Sequence, residues 1–390
     1  MNRIKWIFLL FIGLGSCATR APVIVPDKPV LPETEQYIAE EFSAESARDY
    51  ITIIAGGDNL YHAVMVQAGE GGDYESAYSE IRSLVMDADI AFINQETLLA
   101  GTEFGFSGFP LFNSPQKLGE ALAAVGFNVV NHANNHVMDK GEKAVFATMD
   151  FWDTIPEVTV LGIHRSAEER NLPKLISKNN ITVGFLSYTY GTNGIALPKD
   201  KPYLVSLINT EIMKNEIEAL RPLCDFLVVS MHWGSEYQHN HSKNQETLAA
   251  FLAEQMVDLV IAHHPHVIQP VEYIERKDGT FMLCYYSLGN FISAQTRIPT
   301  MLGAMAYVKI GRPIGPEKPG IVEAGVIPVV THYEKDYTNF KVYPLYMYSD
   351  ELAAKHRINR NGMEMTMSYF NELSSGIFAE KEIKRNPFTE

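Results

Sequence analysis

The sequence contains few cysteines and comparatively few basic residues, and each shortage argues against a class of protein. Its 390 residues include only Cys17, Cys224 and Cys284, with no C-x-x-C pair, so a thiolate zinc site is not supported. Cys224 and Cys284 each border a strand-like apolar run and are expected to be buried core thiols. Lysine and arginine total 32 against 47 acidic residues, which gives a formal net charge of -15. Nucleic acid is therefore not expected as a partner, because its phosphates are bound by cationic side chains.

Long apolar runs are also scarce, and the run at the amino terminus is too short to span a bilayer. Two basic residues precede the apolar stretch over residues 6–14. The letters LGSC at 14–17 follow, and small residues before a cysteine resemble a bacterial lipobox. Residues 1–17 are therefore predicted to be a lipoprotein signal peptide with Cys17 as the lipidation site; an ordinary signal peptide with a chance cysteine is the alternative. The protein is expected to be exported and lipid-anchored at the periplasmic or extracellular face of the cell envelope.

The rest of the chain, after residue 17, divides into three segments that differ in composition. Residues 18–48 are predicted to be a linker, because closely spaced prolines followed by acidic residues disfavour helix and sheet. A folded domain is expected over residues 49–348, and a C-terminal helix and tail over residues 349–390. Hydrophobic residues make up 46% of the chain and charged residues 20%, a balance that permits a well-buried core.

Short apolar runs alternate with helix-like segments in the folded part, which is typical of an α/β domain. The predicted strands are Ile51–Ala55, Ile90–Ile93, Phe127–Val130, Val158–Leu161, Ile181–Tyr188, Phe226–Met231, Leu259–Ala262 and Met282–Tyr286. Further β segments are predicted at Ala304–Ile310, Gly320–Thr331 and Phe340–Tyr346. The predicted helices are Ser76–Met86, Pro115–Val125, Gly141–Asp153, Thr210–Leu220, Lys243–Gln255 and Met363–Leu373. Lys178–Ile181 predicts a hairpin turn, so the sheet is expected to be mixed.

Clusters of polar residues follow several of the predicted strands. They are Gly56-Gly57-Asp58, Asn94-Gln95-Glu96, residues 131–136 (NHANNH), residues 232–237 (HWGSEY), residues 263–266 (HHPH) and residues 286–291 (YSLGNF). Ligand sites of α/β sheets form beyond the carboxyl ends of strands, so these clusters are expected to converge. The first two are weak signals alone, since Gly-Asp turns are common and Glu96 could cap a helix. The three histidines at 263–266 are the most specific signal.

Together the clusters offer two carboxylates, one amide and three histidines. The candidate metal ligands are Asp58, Glu96, Asn135, His232, His264 and His266. Mixed oxygen and imidazole ligands suit one or two divalent ions, with Mn, Fe and Zn all open. Such ions make hydroxide available at neutral pH, and His136 could then protonate a leaving group. The candidates for substrate binding are Asn94, Asn134, Trp233, Glu236, Tyr237, Ser287 and Asn290, with packing or support of the ligands as the alternative for several.

In their order along residues 50 to 295, these motifs resemble the CapA (poly-γ-glutamate capsule biosynthesis) family of the calcineurin-like metallophosphoesterase superfamily. The resemblance implies a four-layer α-β-β-α sandwich. It also implies that Glu96 bridges two ions, of which Asp58 and His266 hold one. Asn135, His232 and His264 would hold the other, and Asp139 would orient His136 as the acid.

The first motif departs from the superfamily pattern. Leu60 stands where a histidine is usual, and His62 is the nearest histidine, so the first ion is expected to be weakly held or absent. Ala262 replaces the usual glycine before the histidine run, while His239 and His241 are expected at the surface.

Three functions remain open on this basis. The first is a metal-dependent hydrolase of a phosphoester or amide bond in a cell-surface polymer. The second is a non-catalytic accessory protein of capsule or poly-γ-glutamate synthesis and export, and the third is a binding module without turnover. The expected partners are an anionic cell-surface polymer or its precursor, the membrane through the anchor, and membrane proteins of capsule synthesis.

Overall fold

A computed structural model describes residues 47–69, 71–313, 318–359, 364–381 and 387. The strands are β1 (Ala47–Leu60), β2 (Ile90–Gln95), β3 (Val129–Asn131), β4 (Thr159–Leu161), β5 (Lys174–Lys178), β6 (Ile181–Thr189), β7 (Phe226–His232), β8 (Leu259–His263), β9 (Val271–Glu275), β10 (Phe281–Tyr285), β11 (Asn290–Ser293), β12 (Leu302–Pro313), β13 (Gly320–Glu334) and β14 (Thr338–Pro344). The α-helices are α1 (Ala63–Ala68), α2 (Arg82–Met86), α3 (Gln116–Val125), α4 (Glu142–Trp152), α5 (Ala167–Arg170), α6 (Thr210–Leu220), α7 (Lys243–Glu254), α8 (Asp350–Lys355) and α9 (Met367–Phe378).

The strands form two sheets, both of which contain parallel and antiparallel pairs. In the first sheet the order is β14-β13-β12-β1-β2-β3-β4, and β11 pairs in parallel with the end of β1. The second sheet has the order β5-β6-β7-β8-β10-β9. Strands β1 to β4 run parallel in the first sheet, as do β6, β7 and β8 in the second, so the carboxyl ends of each set share an edge.

Alternate residues of the strands pack on opposite sides of each sheet, which produces four layers. Ile53 of β1 and Phe185 of β6 belong to one buried cluster between the two sheets. On the outer side of the first sheet, Ile54 shares a cluster with Leu122 of α3. On the outer side of the second sheet, Val229 packs with residues of α6 and α7. The expected α-β-β-α sandwich with mixed sheets is therefore confirmed.

Several local predictions are confirmed and others need correction. Asn179 and Asn180 both have positive φ between the antiparallel strands β5 and β6, as the predicted hairpin requires. The predicted helix Ser76–Met86 is divided into a 3-10 helix, Glu75–Ile81, followed by α2. The residues after Gly289 were expected to be a polar turn, but they form the missed strand β11.

The C-terminal region packs against the domain. Helix α9 begins after Thr366, whose hydroxyl accepts the Tyr369 N–H, and it continues past the predicted end at Leu373 to Phe378. Phe370 and Phe378 are buried in the cluster between the sheets. Cys284 is buried as expected, whereas Cys224 is only half-buried.

The predicted signal peptide, the lipidation site Cys17 and nearly all of the linker lie outside the described residues. Within the described part of the chain, no helix has both the length and the apolar character needed to cross a bilayer.

Candidate metal site

Asp58 is positioned where an irregularity in β1 at Gly57 contacts the backbone of the loop at Gly289. The Asp58 N–H donates to the Gly289 carbonyl at 2.9 Å. A Cβ on Gly57 would lie 2.1 Å from that same oxygen, so only glycine allows this approach. The Asn94 amide donates to Asp58 Oδ1 at 2.7 Å, and the backbone N–H of His264 donates to Oδ2 at 3.2 Å. The carboxylate is therefore fixed at the edge of the first sheet and faces the second.

Glu96 follows β2 and lies in the centre of the site. Its side chain is fully buried, and neither carboxylate oxygen has a hydrogen-bond partner among the described residues. Oε1 lies 3.6 Å from His232 Nε2, and Oε2 lies 3.9 Å from His266 Nδ1. A buried carboxylate is costly unless it is paired or coordinates a cation. The unpartnered oxygens of Glu96 are thus what a cation-binding carboxylate requires.

The histidines come from the second sheet. His232 is the last residue of β7, and His264 and His266 lie in the turn after β8. His264 has φ 98° and His266 has φ 58°, a left-handed backbone that costs free energy for residues other than glycine. Strained residues of this kind cluster at functional sites. The strain here holds two imidazoles close to the carboxylates of the first sheet.

Two buried trios of side chains could hold a metal ion, and Glu96 belongs to both. Asp58, Glu96 and His266 form one; Glu96, His232 and His264 form the other. Within each trio the ligand atoms lie within 4.8 Å of one another. The residues therefore fit divalent ions in their donor chemistry, and Glu96 is shared by both buried trios. A third trio consists of His264, His266 and the exposed Glu236.

Asn135 joins the second trio across the two sheets. Its Oδ1 lies 2.9 Å from His232 Nε2, and its amide nitrogen lies 3.2 Å from Asn193 Oδ1. Tyr190 covers this side, with its ring 4.6 Å from that of His264. The structure thus brings together all six predicted ligands, although their roles as ligands remain predictions.

Burial and neighbouring charges shape the protonation of the site. Burial, and then Asp58, raises the pKa of Glu96 well above its usual range. Burial lowers the pKa of His264 to about 3, and burial likewise lowers that of His232. Burial opposes protonation of His266 too, but Glu96 and Asp58 outweigh it and raise its pKa to about 9. His232 and His264 are therefore neutral, which is the form of imidazole that binds metals.

His136 and Asp139 lie beside the trios. Asp139 Oδ2 is 2.7 Å from His136 Nδ1 and also accepts the Phe112 backbone N–H at 2.6 Å. The ring of His136 packs edge-on against Phe112, with 4.6 Å between the ring centroids. The imidazole is thus held in one orientation, with Nδ1 engaged by the carboxylate.

The predicted substrate-binding residues divide into two groups. Glu236 is exposed beside the half-buried Tyr237, whose ring lies 6.1 Å from that of His266. The others are buried and bonded within the protein: Asn94 to Asp58, Asn134 to the Gln95 carbonyl, Ser287 to the Val267 carbonyl, and Asn290 to His266 at 3.0 Å. Trp233 is 1% exposed and donates from its indole N–H to the Tyr286 carbonyl. These buried residues fix the ligands and the core.

Tyr190 and Asn193 were not predicted, although they follow strand β6 just as the other clusters follow theirs. His263 lies behind Asp58, with 3.7 Å between Nδ1 and Oδ1, and stacks on Phe92. Leu60 is buried, and His62 is held by backbone groups of Leu60 and Ala294. Among the described residues, His62 belongs to none of the three metal-ligand trios.

Comparison with known proteins identifies the family of the chain. Residues 52–295 match the model of the family described as "Bacterial capsule synthesis protein PGA_cap". The chain therefore belongs to this family of bacterial capsule synthesis proteins, and the expected kinship with CapA is confirmed.

Two relatives share 30% identity with the chain. One is the PGA biosynthesis protein CapA of Bacillus subtilis (strain 168), matched over 178 residues, and the other is the capsule biosynthesis protein CapA of Bacillus anthracis, matched over 182 residues. The matches cover 45% of this chain, 45% of the first relative and 42% of the second, so they span less than half of either relative. Among solved structures, the calcineurin-like phosphoesterase YfkN from Bacillus subtilis is similar, at 13% identity and a TM-score of 0.43, over 72% of this chain and 90% of YfkN.

Proposed function

We propose that the protein is an exported, metal-dependent hydrolase of the cell envelope that acts in the biosynthesis or processing of capsule or poly-γ-glutamate. Its substrate would be a phosphoester or amide bond in an anionic surface polymer or its precursor. The observation that carries the proposal is the buried, unpartnered carboxylate of Glu96 between two trios of ligand atoms. The names of the two CapA relatives supply the biological setting.

The six predicted ligands would hold one or two divalent ions. When bound, such ions supply a water with a lowered pKa and polarise the scissile bond. Because the two sides offer different sets of donors, the ion beside His232, His264 and Asn135 would be bound more tightly than the other. On the other side, Leu60 stands in place of a usual ligand, and the trio found there among the described residues consists of Asp58, Glu96 and His266.

His136 would act as the proton donor to the leaving group. Asp139 engages Nδ1, so Nε2 is the ring nitrogen that remains to transfer a proton. The contact with Phe112 and the near-complete burial of His136 restrict the ring to one orientation. An oriented donor beside an electrophilic centre is the arrangement that ester and amide hydrolysis requires.

A cationic side chain at the edge of the metal site supports the proposal of an anionic substrate, although the chain as a whole is acidic. The guanidinium of the exposed Arg297 lies 4.0 Å from the ring centroid of Tyr237, next to His266. This places a fixed positive charge at the rim, where an anionic polymer would enter. The predicted lipid anchor at Cys17 and the linker would keep the domain at the membrane surface, near membrane proteins of capsule synthesis.

Metal content and turnover test the proposal together. The protein without its signal segment, residues 21–390, is analysed by mass spectrometry beside a His264→Ala, His266→Ala double variant. A His239→Ala, His241→Ala double variant is the matched control, because it removes two histidines that belong to none of the three trios. Turnover is measured with bis(p-nitrophenyl) phosphate and with γ-glutamyl-p-nitroanilide.

The expected result is one or two equivalents of Mn, Fe or Zn in the wild type and the control, with hydrolysis of one substrate. Both metal and hydrolysis are lost in the variant without His264 and His266. No metal even after incubation with excess ions overturns the proposal. Retained metal without turnover, combined with binding of poly-γ-glutamate that survives chelation, would identify the non-catalytic accessory protein instead.

A further inference from the structure

We propose that the chain contains a second ligand site, separate from the metal site, that binds a small amphipathic carboxylate such as a medium-chain fatty acid. The site is a cavity of about 320 Å³ where the edge strand β4 of the first sheet meets β5, β6 and helix α6. Ligand pockets in proteins typically have volumes of about 300 to 1,000 Å³. None of the six predicted metal ligands lines this cavity.

The polar end of the cavity presents an incompletely paired guanidinium. Arg170 Nε donates to Glu216 Oε1 at 2.6 Å, and Tyr188 donates to Glu216 Oε2 at 2.6 Å. The carboxylate of Glu216 is thereby occupied at both oxygens. Arg170 Nη2 is buried and has no hydrogen-bond partner among the described residues. Because a buried unpaired donor is costly, this nitrogen calls for an acceptor from a ligand.

Two further groups point to an anionic ligand. His164 is 6% exposed, with Nε2 2.9 Å from Ser206 Oγ and Nδ1 unpartnered within the described structure. Lys174 also lines the cavity, and its ammonium group has no ion pair with any described residue. Two cations therefore face one carboxylate, Glu216, although the chain as a whole is strongly acidic. Burial, followed by the charges of Arg170 and Lys174, lowers the pKa of His164 to about 3, which agrees with an electropositive surrounding.

The remainder of the lining is largely apolar. Leu161 and Leu220 are buried in the wall, while Leu172 and Leu223 are 60% and 52% exposed at the mouth. Large apolar side chains beside an electropositive pocket suit a ligand with one anionic head and a short hydrocarbon body. Inorganic phosphate would satisfy the head alone and leave the leucines in water.

The test is calorimetric titration of the folded protein with sodium octanoate, 1-octanol and sodium phosphate. Two variants alter the cavity without touching the core: Ala219→Trp fills the mouth from an exposed position of α6, and Lys174→Gln removes one cation. Their matched controls are Ala250→Trp, at an exposed position of α7, and Lys214→Gln, which lies on α6 outside the cavity.

Octanoate is expected to bind the wild type and both controls. Lys174→Gln should weaken its binding about tenfold, the typical worth of one charge-assisted hydrogen bond. Ala219→Trp should abolish binding by occlusion. The proposal is overturned if octanoate does not bind at millimolar concentration, or if Ala219→Trp binds as well as Ala250→Trp. Equal affinity for octanol, or preference for phosphate, would likewise refute recognition of an amphipathic carboxylate.

Discussion

The carboxylate of Asp139 holds the imidazole of His136, with 2.7 Å between Oδ2 and Nδ1. The same oxygen accepts the Phe112 backbone N–H. The backbone therefore holds the carboxylate in place, and the carboxylate in turn orients the ring. His136 and Asp139 are thus a unit whose parts can be altered without changing any of the six candidate metal ligands. This separation allows proton transfer to be tested independently of metal binding.

Replacement of Asp139 by Asn should leave the metal content unchanged and lower turnover by about 10²- to 10⁴-fold, the usual contribution of a positioned acid or base. The amide can accept the Phe112 N–H but no longer fixes Nδ1 of His136 as the donor. Turnover of bis(p-nitrophenyl) phosphate and metal content are measured on the same sample. Asp200→Asn, at a largely exposed carboxylate, is the control. Wild-type turnover in Asp139→Asn would rule out His136 as the oriented acid.

Glu96 should determine how strongly metal stabilises the fold. Addition of Mn²⁺ at 100 times its dissociation constant should raise the free energy of unfolding by about 3 kcal/mol. In Glu96→Gln this gain should largely vanish, because a neutral amide replaces the carboxylate shared by both buried trios. Thermal unfolding with Mn²⁺ or with a chelator measures the difference. Glu236→Gln, which alters an exposed carboxylate, should retain the gain in stability. If the gain were lost in Glu236→Gln, the ion would instead belong to the third trio, which contains Glu236.

The stability of the metal-free protein should fall as the pH is lowered below about 6.5, in part through His356. Its Nε2 lies 3.1 Å from the Thr331 carbonyl, and Nδ1 accepts the Ile358 N–H, so the ring is bonded as a neutral imidazole. Burial, and then His332, lowers its pKa to about 3. The unfolded chain titrates near pH 6.5, so it binds more protons than the folded chain below that pH.

For one such histidine the loss between pH 6.5 and 5 is about 2 kcal/mol. Urea unfolding at pH 7 and pH 5 should therefore show a smaller pH dependence in His356→Gln, whose amide can make the same two bonds. His239→Gln, at a half-buried position, serves as the reference. An unchanged pH dependence in His356→Gln would show that this ring binds protons equally in the folded and unfolded chains, contrary to the lowered pKa.

Gly57→Ala should damage the site without removing a ligand. The added Cβ would lie 2.1 Å from the Gly289 carbonyl oxygen, so either β1 or the loop at Gly289 must move. Overpacking of this kind typically costs about 1 to 3 kcal/mol, and the affected end of β1 carries Asp58. Gly71→Ala is a close control, because a Cβ there meets no atom within 4 Å. In Gly57→Ala, both the free energy of unfolding measured in urea and the metal content should fall. In Gly71→Ala, neither should change.

The sequence predicted the architecture and the convergence of the candidate ligands because both follow from local patterns. Each ligand follows an apolar run, and parallel strands bring such positions to one edge. Trp233 shows where the pattern misleads. Adjacent residues of an extended chain face opposite sides, so Trp233 faces the outer layer when His232 faces the site.

Other features depended on contacts that no local pattern contains. The strand β11 has only four residues, and it pairs with the end of β1 next to the close contact between Gly57 and Gly289. The positive φ of His264 and His266 is imposed by the surrounding turn rather than by residue type. The cavity beside Arg170 arises where the edges of the two sheets meet, so no local sequence pattern indicates it.

The division of the ligands between the two sheets has a consequence for how the protein matures. Asp58, Glu96 and Asn135 lie in or after strands of the first sheet, and His232, His264 and His266 belong to the second. Each of the two buried trios needs residues of both sheets, so an ion in either of them could be captured only after the sheets had docked. Uptake of a metal by the buried trios would therefore be a late event in folding, and the amount of metal bound there would report the fraction of molecules that have completed it.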